Sequence, residues 1–233
     1  MKIQDSRILI TGGSSGLGKE MAKVLKNAGA KVLITGRDSE KVQQVGKQLG
    51  VFSLAADVAN PEAIKQTYTA VNKHLGGLDV LINNAGFGEF APIEEVTLEQ
   101  FENVFRTNVF GAALMASEAA KIFKAQQYGN IINVSSTAGR KGFANGSIYA
   151  ASKFALSGLT ECWRDELRKY NVRVMQINPS AVPTAFNVED RTEKPLRDNR
   201  LTPAEIAHAV NSMLEMDDRG FITELSVWAT NPF

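Results

Sequence analysis

The sequence predicts a doubly wound α/β fold, a seven-stranded parallel sheet with helices on both faces. Three observations predict it. Strand-like apolar runs alternate with helical periodicity from end to end, the pattern of a parallel sheet joined by crossover helices. Most of those runs are short and rich in Val, Ile or Leu, as strands covered on both faces must be. A glycine-rich turn also separates the first strand from the first helix, at the sheet edge where such folds take their ligands.

The strands are expected at 7–11, 31–35, 52–56, 78–83, 130–134, 173–177 and 221–227. Helix starts fix the register between them. Asn60-Pro61 puts a capping side chain before a proline at the first helical position, where its missing N–H costs nothing. Thr97-Leu98-Glu99-Gln100 and Thr202-Pro203-Ala204-Glu205 both match the reciprocal capping box. Two long helices are expected at 98–127 and 147–170. Neither a repeat nor a linker interrupts the alternation, so residues 1–233 are read as one domain with right-handed crossovers.

Composition narrows the function. Lys and Arg number 26 against 25 Asp and Glu, so there is no basic excess of the kind that holds a nucleic-acid backbone. The apolar runs fall short of the roughly 18 residues that span a bilayer, and neither nucleic-acid nor membrane partners are expected. The first strand begins within a few residues of Met1, so no targeting peptide is expected and the cytoplasm is the expected compartment. Cys162, the sole cysteine, reads as a packed apolar residue. His74 and His208 lie apart on helices without ligand spacing, so no metal site is expected.

The turn Thr11-Gly12-Gly13-Ser14-Ser15-Gly16-Leu17-Gly18 is the first candidate site. Gly12 permits a tight turn, Gly16 lets backbone approach a pyrophosphate, and Gly18 lets helix and strand pack closely. The helix amino end offers N–H donors and a positive dipole end to phosphates. Gly12, Ser14, Ser15, Gly16, Leu17 and Gly18 are therefore candidate cofactor contacts.

The spacing TGxxxGxG resembles the short-chain dehydrogenase/reductase family. The resemblance continues through Asn83-Asn84-Ala85-Gly86, Asn108, Asn133-Val134-Ser135-Ser136 and Tyr149-Ala150-Ala151-Ser152-Lys153, in family order, over roughly residues 5–184. It implies a Rossmann fold, a nicotinamide cofactor, and interconversion of a small-molecule carbonyl and alcohol. It also implies that Asp57, Val58, Asn84, Ala85, Gly86, Pro179, Val182 and Thr184 touch the cofactor. The family commonly pairs its two long helices, so a homodimer or homotetramer is implied, with Ala112, Ala113, Ala116, Ala119 and Ala120 allowing close approach.

Within this frame Tyr149 is the expected proton donor and acceptor. Lys153, four residues on, stacks on the same helix face and is expected to lower the phenol's pKa and, by family analogy, to bond the nicotinamide ribose. Ser136 lies thirteen positions before Tyr149, the family spacing for the serine that binds the substrate oxygen, with Ser135 as the alternative. The resemblance gives Asn108 a kink and a water that joins Lys153 to solvent. Ser180 departs from the family's usual glycine after Pro179, which puts the nicotinamide contact there in doubt. Phe87, Phe90, Phe143, Phe186, Arg140 and Lys141 lie on the loops expected to face the substrate.

NADP(H) is expected over NAD(H). The second strand runs into Gly36, which cannot repel a 2′-phosphate, and Arg37 offers a charged fork suited to it. Asp38 stands next as a competing ribose reader, and Ser15 replaces the basic residue that many NADP-selective relatives carry. The charged segment 185–201 is expected to close over bound ligands. The alternative function is a catalytically silent NADP(H)-binding sensor of the same fold.

Overall fold

Alternate residues on each strand feed two apolar cores, one on either face of a sheet. The computed structural model describes residues 1–186, 195 and 199–231. Its strands are β1 (Arg7–Ile10), β2 (Lys31–Gly36), β3 (Phe52–Ala55), β4 (Val80–Asn83), β5 (Gly129–Val134), β6 (Val172–Pro179) and β7 (Glu224–Val227). They pair in parallel throughout, in the order β3-β2-β1-β4-β5-β6-β7. This is the doubly wound sheet expected from the sequence. The chain winds outward in both directions from β1 and β4, so a crevice opens at their carboxyl ends.

On one face, Ile8, Ile10, Ile34, Ile82, Ile132 and Ile177 pack under α1 (Gly16–Asn27), α2 (Ser39–Leu49) and α7 (Pro203–Glu215). On the other, Leu9, Leu33, Leu81, Ile131 and Val174 pack under α3 (Pro61–Leu75), α5 (Ala112–Gln126) and α6 (Ser147–Leu167). Period-two alternation in the strands thus sorts the helices into layers. The caps hold as expected: Asn60 accepts from Glu62 N, and Thr97 and Thr202 each close a full capping box.

The long helix expected at 98–127 is not continuous. It is α4 (Leu98–Phe105), a π-helical segment (Arg106–Gly111) that contains Asn108, and then α5. Helical periodicity cannot register one widened turn, whose cause lies in partners distant in sequence. β4 and β7 also begin later than expected, at Val80 and Glu224. Cys162 is exposed and not packed, because α6 turns Leu156, Thr160 and Leu167 inward and leaves Cys162 on its outer face. Of the five alanines expected to allow close approach, Ala112, Ala116 and Ala119 are buried, so only Ala113 and Ala120 of that set are partly exposed.

Candidate active site

The turn after β1 is shaped by what its glycines lack. Gly12 (φ +66°) and Gly16 (φ +51°) sit in the left-handed region, where a side chain is strained. A Cβ at Gly18 would stand 2.3 Å from the Gly12 carbonyl oxygen. Ser15 occupies the N-cap of α1 without a side-chain capping bond, and the first turn carries no acid. The positive end of α1 therefore faces the crevice with no acid in its own first turn, an arrangement suited to an anion.

That crevice is a cavity of about 1170 Å³. Gly12, Ser14, Ser15, Gly16 and Leu17 line it at one side, and Gly36, Arg37, Asp57 and Val58 at another. Gly18 lies just behind, holding α1 against the turn. β2 extends through Gly36, where a Cβ would come within 2.8 Å of Ser14 Oγ. Asp38 is partly committed elsewhere, because its carboxylate accepts from Lys41 N at 3.0 Å as the cap of α2. Arg37 lies over the Phe87 ring, 5.9 Å from its centroid. Asp57 shapes its own turn by accepting from Ala59 N at 2.9 Å. Lys41 also lines this end. Sequence reasoning missed it, although its position one turn into α2 after Arg37 was a usable signal.

Asn84, Ala85 and Gly86 continue the wall after β4. Thr11 Oγ1 accepts from the backbone N–H groups of Asn84 and Ala85, both at 3.0 Å, while Asn84 Nδ2 donates to the carbonyls of Thr11 and Gly12 at 2.9 Å. The two loops are thereby locked together. Behind them, Asn83 Nδ2 donates to Asn133 Oδ1 at 3.0 Å, and Asn133 Nδ2 to Thr160 Oγ1 at 2.7 Å. This buried chain joins β4, β5 and α6, and was not foreseen beyond the motif letters themselves.

Ser136, Tyr149 and Lys153 line the same cavity. Asn108 sits just behind, and the structure brings all four together. Asn108 Oδ1 accepts from Phe87 N at 3.1 Å, and its Nδ2 donates to Phe87 O at 2.8 Å and Ser152 Oγ at 3.0 Å. Those bonds tie the π-helical turn to both the β4 loop and α6. At Gly86 a Cβ would stand 3.0 Å from Asn108 Oδ1 and 3.7 Å from Lys153 Nζ, so this glycine makes room for both. Ser135 also lines the cavity but donates to Lys153 O at 3.4 Å, whereas Ser136 bonds the Tyr149 side chain.

The electrostatics differ from the expectation in one respect. Tyr149 is not lowered but raised above the usual tyrosine value, chiefly by burial, with the Ser136 hydrogen bond pulling the other way. Burial also brings Lys153 down to about 8. Its Nζ donates to Val134 O at 2.9 Å and stands 5.8 Å from the Tyr149 ring centroid, so desolvation outweighs attraction at the phenol.

At the far end, Pro179, Val182 and Thr184 line the cavity, and Thr184 lies against Gly16. Ser180 is not among the residues with positive φ, so its backbone makes no demand for glycine. Phe87, Phe90, Phe143, Phe186 and Lys141 all face the cavity, but Arg140 does not, being paired with Glu224 on β7. Trp228, just past β7, also lines it, and nothing in its sequence context marked it. Most of segment 185–201, residues 187–194 and 196–198, lies outside the described residues.

Comparison with known proteins places this geometry in a lineage. The family model for short chain dehydrogenase matches residues 6–195. An uncharacterised oxidoreductase of Staphylococcus aureus (strain USA300) is 31% identical over 232 residues, 97% of each chain. The structure of a 3-ketoacyl-(acyl-carrier-protein) reductase from Brucella melitensis complexed with NADH superposes with a TM-score of 0.89 at 27% identity, covering 99% of this chain and all of that one. A metagenomic short-chain oxidoreductase in complex with NADP superposes at 0.84 with 30% identity, covering 97% and 98%. By sequence, by fold and by the order of its motifs, the chain belongs to the short-chain dehydrogenase family of oxidoreductases.

Proposed function

We propose that this chain is an NADP(H)-dependent carbonyl reductase or alcohol dehydrogenase in which Tyr149 is the general acid and base, and that residues 1–233 act as one cofactor-binding and catalytic domain in the cytoplasm. The observation that carries the proposal is the convergence of Asn108, Ser136, Tyr149 and Lys153 on the cavity that also holds the glycine turn. The glycine cradle and uncapped α1 fit a pyrophosphate, with Thr184 across from Gly16. Arg37 and Lys41 would hold a 2′-phosphate. When bound, the nicotinamide supplies or accepts the hydride.

The protein's own part is the proton and the oxygen. Ser136 Oγ donates to the substrate oxygen as charge develops there. Tyr149 Oη passes its proton to that oxygen in reduction and takes it back in oxidation. The raised phenol is protonated at neutral pH, the form that reduction uses. Lys153 and Asn108 position the helix face and lead the proton towards solvent. Tyr149→Phe should lose about 10²–10⁴-fold in kcat while its cofactor affinity stays within about twofold. Near-normal turnover in this variant would overturn the mechanism. Cofactor binding by the wild type with no turnover on any carbonyl would instead favour the silent sensor.

The chain is further proposed to self-associate through α5 and α6, where Leu114 and Phe154, with Phe110 in the π-helical turn before α5, are exposed large apolar residues. Light scattering at micromolar concentration should give a dimer or tetramer, and a monomer would refute this.

A further inference from the structure

The end of the cavity beyond Tyr149 is walled by aromatic rings set at ring-to-ring spacing. Tyr149 lies 5.6 Å from Phe90 and 5.5 Å from Phe186 by ring centroid, at interplanar angles of 59° and 61°. Phe90 in turn lies 6.0 Å from Phe143. Trp228 lines the same cavity from the end of the sheet. Phe90, Phe143 and Trp228 are 45%, 51% and 66% exposed, a large apolar surface to leave in water beside a catalytic phenol.

The loops are built to hold these rings. At Gly88 a Cβ would meet the Phe90 ring at 2.9 Å and Tyr149 Cδ2 at 3.0 Å. At Gly146 it would meet the Phe143 ring at 2.5 Å. Each ring therefore lies where its own loop has given up a side chain, which packing for its own sake does not require on an exposed loop. Of the two basic residues before Phe143, Arg140 is drawn off to Glu224, while Lys141 stays at the cavity wall.

We infer that this chamber selects carbonyl substrates carrying an aromatic ring next to the carbonyl, the ring lying against Phe90 and Phe143 while the oxygen meets Tyr149 and Ser136. The inference rests on the reductase reading above. An aryl group entering here meets rings in the tilted arrangements their quadrupoles favour, whereas a saturated ring of equal size gains only burial.

The test compares acetophenone with cyclohexyl methyl ketone, which share a carbon count and differ in the ring. Conjugation makes the aryl carbonyl the poorer hydride acceptor, so chemistry alone favours the saturated ketone. With NADPH, kcat/KM should be about tenfold higher for acetophenone, the product of two ordinary ring–ring contacts. In Tyr149→Phe loaded with NADPH, acetophenone should also bind more tightly, read from nicotinamide fluorescence. Phe143→Leu, on an exposed loop away from Tyr149, should bring the ratio of the two kcat/KM values towards one. A ratio at or below one in the wild type, or a ratio unmoved in Phe143→Leu, overturns the inference. So does reduction of small aliphatic diketones with neither eight-carbon ketone accepted. If NADPH binds and no carbonyl compound of any kind is reduced, the reductase reading itself fails.

Discussion

The two sides of the crevice are made of different material. The β1–β2 side is largely backbone: glycines, a helix end and turn-forming carboxylates, with Arg37 and Lys41 at its rim. The β4–β6 side is made of buried side chains, Asn83, Asn108, Asn133, Ser152, Lys153 and Thr160, bonded to one another or to backbone across four elements. A backbone site tolerates chemistry poorly but is indifferent to pH. A site of buried polar groups is responsive to pH and carries the cost of desolvation. The same sheet edge thus carries a steric device and an electrostatic one.

The sharpest way to break this contrast is Lys153→Met. Burial holds the lysine near 8 against 10.5 in the unfolded chain, so the charged form is disfavoured in the native state by about 3 kcal/mol at neutral pH. The variant leaves the Val134 carbonyl without its donor, which costs about 1 kcal/mol. Activity should be lost while stability at pH 7 rises by about 2 kcal/mol, or about 4–8 °C in Tm. The sign follows from proton counting. Between about pH 8 and 10.5 the unfolded wild type binds more protons than the native, so wild-type stability rises with pH. The variant's advantage should shrink over that window, and a gap independent of pH would show that Lys153 is not desolvated as described.

Gly18→Ala probes the opposite side. Its Cβ would stand 2.3 Å from a backbone oxygen that cannot step aside, at a cost of about 1–3 kcal/mol shared between folding and the cradle. The cofactor dissociation constant should rise by about 10–100-fold with no change in the pH profile. A shifted profile would mean that the two sides are not separable.

The smallest effect is expected from Arg37→Asp, which alters charge at the rim and leaves the backbone alone. The preference for NADPH over NADH in kcat/KM should fall by about tenfold, as loss of one charge-assisted bond implies. A wild type that prefers NADH would show instead that Asp38 reads the ribose despite its role as the cap of α2.

The two sides also differ in how far they were legible. The glycine turn is one short stretch, and its meaning follows from the strand before it and the helix after it. Tyr149 and Lys153 are neighbours on one helix, and Ser136 was found by spacing within a resemblance. By contrast, the π-helical turn at Arg106–Gly111 is tied to Phe87 and Ser152, 21 and 44 residues from Asn108. No local pattern announces a bond over that separation. The direction of the Tyr149 shift was missed for a related reason: helical spacing shows which residues are near, but not how much water they lose.

The sequence by itself determined the alternation, the parallel sheet, the glycines of the first turn and the pairing of Tyr149 with Lys153 on one helix face. Each of these is set by periodicity or by a few adjacent residues, where backbone geometry leaves little choice. Tertiary structure decided the rest. It brought Trp228 from just past the last strand to the chamber, withdrew Arg140 to Glu224, turned Cys162 outward and set Phe90 against Tyr149 across 59 positions of chain. Those outcomes depend on which surfaces meet when the sheet closes, and burial and charge take their values only once they have met.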